Sequence, residues 1–453
     1  MEPWNRGTET DLIVSYRLSP LVTSERAPSP SALESGVYRK VTWRLLPFLM
    51  LCYAVAYLDR VNIGFARLQM LDDLAFSETI YGLGAGMFFI GYVLFEVPSN
   101  VILHRVGARI WIGRIMISWG LVSASFMFVA SPTMFYALRF LLGVAEAGFY
   151  PGIILYLTYW FPSYRRARVI ALFMTAIPVS GILGGPLSGW IMDTFAGHRG
   201  LAGWQWLFVI EGMPAIVLGV VTIWYLDDGI RSARWLNAEE KRVLEDRLRE
   251  DSVGVLQDRS VWSILGDRRI WHLSGIYFCA AMGQYGLTFW LPALMQAAGV
   301  KGALEIGLLT AIPYSAAVVG MILFGRSADR RRERRWHAAM PFLIGAVGLS
   351  LTVQAGAHTA LAVVCLSIAA IGILSAAPLF WGLPTAFLGG AAAAAGIATI
   401  NSIGNLGGFV SPYVVGWLRD ATSSSAMGMY VIVVVLLLGA GGILLVPKAL
   451  VSK

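Results

Sequence analysis

The chain has 453 residues, of which 57% are hydrophobic and 14% charged, with a mean hydropathy of +0.67. A soluble domain carries about 25% charged residues, so this composition excludes a soluble globular protein and indicates a polytopic membrane protein. The net charge of +8 does not signal nucleic-acid binding, because the basic residues gather at the ends of apolar runs, as the positive-inside rule requires.

Residues 1–38 are polar, rich in Ser, Pro and Glu, and lack the apolar core of a signal peptide, so they read as a disordered cytoplasmic tail. Runs of about 20 apolar residues then predict twelve membrane-spanning helices. The first six lie at 42–66, 79–103, 110–130, 134–160, 168–195 and 204–226. The second six lie at 270–295, 304–325, 338–357, 359–383, 394–418 and 427–447. Residues 39–226 thus form an expected N-terminal six-helix bundle and 269–453 a C-terminal one. Between them, 227–268 is the one long polar stretch, where Asn237-Ala238-Glu239-Glu240 gives a capping-box-like start to a solvated, amphipathic linker helix.

Arg105, Arg109 and Arg114 follow the second span, Arg165, Arg166 and Arg168 the fourth, and Arg326, Arg330 and Arg331 the eighth. These loops, and with them both termini, are expected on the cytoplasmic side, although the loop 388–395 carries no base. Cys52, Cys279 and Cys365 fall within apolar segments and read as core packing, with neither a disulfide framework nor a metal site implied. The two halves echo one another: Gly184-Gly185, Gly189-Trp190 and Asp193 return as Gly407-Gly408, Gly416-Trp417 and Asp420, as expected of a transporter built from two related bundles.

Two charge pairs interrupt this apolar pattern. Asp59 and Arg60 are adjacent in the first span, and Arg139 and Glu146 stand seven positions apart in the fourth, on one helical face. A charge at the bilayer centre costs roughly 2.5–3.5 kcal/mol, so four of them mark a pathway or a binding site in preference to packing. Arginine presents a permanently charged planar fork, which suits Arg60 and Arg139 to a carboxylate ligand. Asp59 beside Arg60 is expected to stay ionised, which leaves Glu146 as the better proton switch. Tyr57, Tyr92, Gln284, Trp381, Asn401 and Asn405 sit at depths compatible with a central cavity, where each either orients a substrate or forms an interhelical hydrogen bond. None of the lysines follows a glycine, so no Walker A loop is present and ATP drive is not expected. No zinc-protease pair or serine elbow appears, which argues against an enzyme. A channel calls for rings or filters, whereas these charges are few, paired and confined to the first half.

The segment Gly325-Arg326-Ser327-Ala328-Asp329-Arg330 resembles the cytoplasmic loop motif of the major facilitator superfamily, with Gly325, Asp329 and Arg330 as a cytoplasmic gate. Its first-half copy departs from the pattern, with Asn100 for the glycine and His104 for the acid. The segments Tyr57 to Phe65, Glu96 to Asn100 and Arg139 to Gly152 narrow the resemblance to the anion:cation symporter family. Within that family Ile154 to Pro162, Trp204 to Pro214 and Glu333 to His337 look like the tartrate-transporter branch. The resemblance implies an all-α membrane protein of twelve transmembrane helices in two pseudo-symmetric six-helix bundles. It also implies proton-driven uptake of a small organic anion such as tartrate, a sugar acid or an aromatic carboxylate, by a monomer of the cell inner membrane with no cofactor and no metal. The matched positions Asp59 and Glu146 would handle protons and Arg60 the anion, with Tyr57, Tyr92, Trp381 and Asn401 as substrate contacts. Anion exchange and sodium-coupled uptake stay open as alternatives.

Overall fold

A computed structural model describes residues 32–252, 266–331, 333–384 and 390–446, with Ala167, Asp329 and residues 390–395 described by their backbone alone. Among the described residues every regular element is a helix. The first half consists of α1 (Ala32–Leu74), α2 (Glu78–Val106), α3 (Ala108–Ser125), α4 (Pro132–Glu146), α5 (Phe149–Thr158), α6 (Ser163–Met174), α7 (Ala176–Thr194) and α8 (Gly203–Tyr225). The linker helix α9 (Ala238–Ser252) follows. The second half consists of α10 (Arg268–Ala297), α11 (Ala303–Arg331), α12 (Arg335–Ala355), α13 (Thr359–Trp381), α14 (Gly390–Thr422) and α15 (Ser425–Leu445).

Local chemistry sets the helix ends. Ser77 accepts from the Ile80 N–H at 3.2 Å to open α2, and Ser131 accepts from the Met134 N–H at 3.3 Å to open α4, where Pro132 occupies the first turn. The box expected at Asn237 forms in both directions: its Oδ1 accepts from the Glu240 N–H at 2.8 Å, while Glu240 Oε2 accepts from the Asn237 N–H at 2.9 Å. Two expected spans are broken. The fourth divides at Ala147–Gly148, where Gly148 adopts φ +84°, a left-handed conformation that only glycine enters at little cost. The fifth divides at Thr175, whose N–H turns back to Leu172. Helix α1 also starts at Ala32, ahead of the expected end of the tail at residue 38. All seven residues 32–38 thereby belong to the helix, which buries Glu34, Val37 and Tyr38.

Within the first half, α3 and α8 approach closely because Gly113 faces Gly219 and Gly120 faces Gly212; a Cβ on Gly120 would lie 2.8 Å from the Gly212 carbonyl oxygen. The halves meet along two antiparallel seams, α2 against α14 and α7 against α11, with α1 also touching α10. Here too glycines let backbones meet. A Cβ on Gly86 would come within 2.8 Å of the Phe409 oxygen, and one on Gly185 within 2.7 Å of the Gly307 oxygen. At the end of the molecule that carries Leu74, the echoed aspartates close these seams in matching ways. Asp193, at the end of α7, accepts from the Leu304 N–H at 2.8 Å and so caps α11. Asp420, at the end of α14, accepts from the N–H groups of Glu78 at 3.1 Å and Thr79 at 2.7 Å and so caps α2. Each carboxylate meets the positive end of a helix from the opposite half.

At the other end, which carries the basic loops, α9 is strapped to the first half. Lys40 pairs with Glu240 at 2.8 Å, and Asp251 accepts from the Ser163 N–H at 2.9 Å. The buried Glu34 accepts from Tyr164 at 3.1 Å, Arg165 at 3.2 Å and Arg247 at 3.0 Å. Asp228 caps α3 through the Arg109 N–H at 2.9 Å, which supplies from the linker the acid that the first-half loop lacks at His104. Gly325 has open space where a Cβ would lie, and Arg330 is exposed. The side chain of Asp329, the acid of the expected gate, lies outside the described residues.

Candidate functional site

Successive side chains leave a helix about 100° apart, so the neighbours Asp59 and Arg60 point to different surroundings. Arg60 turns toward the second half and forms an ion pair with Glu146 from α4. Its guanidinium lies 3.5 Å from the Tyr285 hydroxyl of α10, 5.1 Å from the centre of the Phe88 ring and 5.6 Å from that of Tyr92. Arg60 side-chain exposure is 11% and that of Glu146 is 1%, so the pair sits in a nearly dry, aromatic setting where electrostatic contacts are strong and solvent does little to screen them.

Asp59 does not join this pair, contrary to the expectation that it sits beside Arg60 in one cavity. Its carboxylate faces the interior of the first half, where it accepts from Trp119 Nε1 at 2.9 Å and Ser123 Oγ at 2.7 Å, both from α3. Arg139, expected to share the cavity with Glu146, is fully buried and donates to the α2 backbone carbonyls of Gly84 at 3.3 Å and Ala85 at 3.1 Å. Its place is a clamp between α2 and α4. The seven-residue spacing does put it on the stripe of Glu146, but two turns of rise carry it about 10 Å along the axis and into a different set of neighbours.

The expected polar contacts gather from both halves. Tyr57 is buried with its hydroxyl toward the Gln284 and Thr288 region of α10, and Gln284 is half-buried. Tyr92 packs against Phe88 with ring centres 5.9 Å apart. Trp381 packs against Tyr277 at 4.8 Å. Asn401 donates from Nδ2 to Glu96 Oε1 at 3.1 Å, bridging α14 and α2.

Two carboxylates escaped the sequence reading as site residues. Glu96 is buried one turn after Tyr92, with Oε2 lacking a partner. Glu211 of α8 is buried and accepts from Ser188 Oγ of α7 at 2.7 Å. The signal for both was present, since each is a lone acid in an expected span, and the membrane-charge argument applied to Asp59 applies equally to them.

Two seamed halves of membrane-length helices around a paired arginine form a multi-pass membrane protein, and its family and relatives make it a secondary transporter and not an enzyme. The chain belongs to the Major Facilitator Superfamily, whose family model matches residues 49–412. It is 49% identical over 437 residues to a protein named "Putative tartrate transporter" from Agrobacterium vitis, covering 96% of this chain and 95% of that one. It is also 49% identical over 419 residues to "Putative metabolite transport protein NicT" from Pseudomonas putida, covering 92% of this chain and 96% of that one. The fold matches the crystal structure of a D-xylose-proton symporter with a TM-score of 0.71 at 14% identity, over 91% of this chain and 99% of that one.

Proposed function

We propose that the protein takes up a small organic anion, of the kind represented by tartrate, a sugar acid or an aromatic carboxylate, together with protons. The setting is the cell inner membrane with both termini cytoplasmic. The observation that carries this reading is the Arg60–Glu146 ion pair, buried between α1 and α4 and faced across the divide by Tyr285 of the second half. An arriving carboxylate competes with Glu146 for the Arg60 fork. Glu146, displaced and without water to solvate it, takes a proton, and the neutralised, loaded site allows the halves to rock. Tyr57, Tyr92, Gln284, Trp381 and Asn401 orient the remainder of the substrate, and Arg139 holds α2 to α4 without touching it. In this orientation the seams capped by Asp193 and Asp420 close the outer face. The names of the relatives support the tartrate-like class.

The test is uptake by reconstituted protein of labelled tartrate, gluconate and benzoate under an imposed proton gradient, with Arg60→Lys beside the unaltered chain. An ammonium cannot reproduce two parallel hydrogen bonds. Losing one charge-assisted bond of about 1.5–3 kcal/mol lowers affinity roughly tenfold to a hundredfold. Near-normal uptake by the lysine variant overturns the role of Arg60, and uptake that follows sodium and ignores the proton gradient overturns the coupling ion.

A further inference from the structure

At the end of the molecule that carries the basic loops, α1, α6 and α9 enclose a cleft of about 800 Å³ that takes no part in the cycle proposed above. Four arginines and three acids line it. Each acid is already met from within the protein. Glu34 accepts from Arg165 and Arg247, Glu250 pairs with Arg247 at 2.8 Å, and Asp251 accepts from the Ser163 N–H and lies 3.8 Å from Arg166. Arg39 and Arg168, both exposed, take part in no hydrogen bond or ion pair among the described residues. Two further donors at the floor are unmet, the Arg165 Nε–H and the hydroxyl of the buried Tyr38, over whose ring the Arg165 guanidinium lies at 4.2 Å. Two uncompensated guanidinium groups above unmet donors are the complement of a phosphate-type anion.

The charge has an apolar neighbour in fixed register. One turn beyond Arg39 on α1 stands Trp43, 75% exposed, and one turn beyond Arg168 on α6 stands Leu172, 48% exposed. Both helices open membrane-length spans at this end. Each therefore presents an arginine at the boundary and a bare apolar side chain one turn deeper. The exposed Tyr164, whose ring is apolar and whose hydroxyl is polar, stands on the same wall, as is usual where water meets lipid. A soluble anion would use the arginines and leave Trp43 and Leu172 idle, whereas an amphiphile uses both.

We propose that this cleft binds an anionic phospholipid of the surrounding leaflet. The lipid phosphate lies between Arg39 and Arg168, and the acyl chains run along Trp43 and Leu172. The linker helix supplies the third wall through Arg247, so the bound lipid also holds α9 against the first half at the membrane surface.

The test is native mass spectrometry of the full chain in a neutral detergent, titrated with phosphatidylglycerol, with phosphatidylcholine as the zwitterionic comparison. The unaltered chain should retain one phosphatidylglycerol that phosphatidylcholine does not displace. Arg39→Gln with Arg168→Gln should weaken retention about thirtyfold, at about fivefold for each charge. Trp43→Ser should weaken it with every arginine in place. Arg105→Gln with Arg326→Gln removes equal charge from exposed positions at the same end but outside the cleft, and should leave retention unchanged. Equal retention of the two lipids, or an equal loss in both double variants, overturns the site in favour of overall charge. Displacement of the lipid by an equal concentration of inorganic phosphate overturns the lipid in favour of a soluble anion. Retention that rises once residues 1–31 are removed overturns it in favour of the chain's own segment. None of these readings requires transport, so they stand apart from the fate of the proposed substrate.

Discussion

Arg60 and Arg139 are both buried arginines close to Phe88, yet their partners give them opposite expected phenotypes. Arg139 bonds only backbone carbonyls, so Arg139→Met should lower the unfolding temperature, at a cost of about 1–3 kcal/mol for the lost bonds, while leaving ligand affinity of the folded fraction intact. Arg60→Lys should do the reverse, and thermal-shift titration with tartrate distinguishes the two. Glu146→Gln imitates the protonated acid. It should retain exchange of substrate across the membrane and lose accumulation driven by a proton gradient; counterflow and gradient-driven uptake on one reconstituted sample check this, and survival of both makes the glutamate structural. The class of these residues was legible in the sequence, because intramembrane charge is costly wherever it stands. Their partners were not. Adjacency in the chain suggested that Asp59 meets Arg60, whereas a helix sends neighbours to different faces, and only the tertiary arrangement, which brings these α3 side chains within reach of α1, shows that Trp119 and Ser123 receive the aspartate.

The helices owe their seams to small residues placed where backbones cross. A side chain on Gly307 would meet the Gly185 carbonyl, so Gly307→Leu should force α7 and α11 apart at the Leu74 end. In a background without Cys52, Cys279 and Cys365, Tyr413→Cys on the neighbouring seam should then react faster with an impermeant thiol reagent than it does with Gly307 in place; an unchanged rate shows that the seam does not limit opening. The glycine echoes between the halves were readable as helix packing, and the repeated aspartates were readable as a repeat. That each aspartate caps a helix of the other half follows only from the tertiary arrangement. The break at Gly148 was hidden for a related reason: apolar periodicity continues through it, and a glycine inside a membrane span is common enough to carry no break signal of its own.

Over the whole molecule, α9 belongs to the first half through pairs that are mostly polar and partly exposed. The Lys40 ammonium and the Asn237 N–H hold the Glu240 carboxyl below the usual carboxylate range. A lowered carboxyl stabilises docking above its unfolded value of about 4.3, and that stabilisation is lost as pH falls through the folded value, so α9 should loosen in acid. Hydrogen exchange across 238–252 should accelerate below about pH 4, and Lys40→Gln should flatten the change. The effect is small, since partly exposed pairs contribute about 0–1 kcal/mol. Glu34 ties the strap more firmly, because it is buried and draws on Arg247 of α9 as well as Arg165 of α6. This has a practical consequence for dissecting the chain into two co-expressed pieces. A fragment ending after Ser252 keeps both arginines on Glu34. One ending at residue 230 strands that carboxylate with half its cationic support, so the place of the cut, more than the fact of cutting, should decide whether the amino-terminal piece accumulates in the membrane or is degraded.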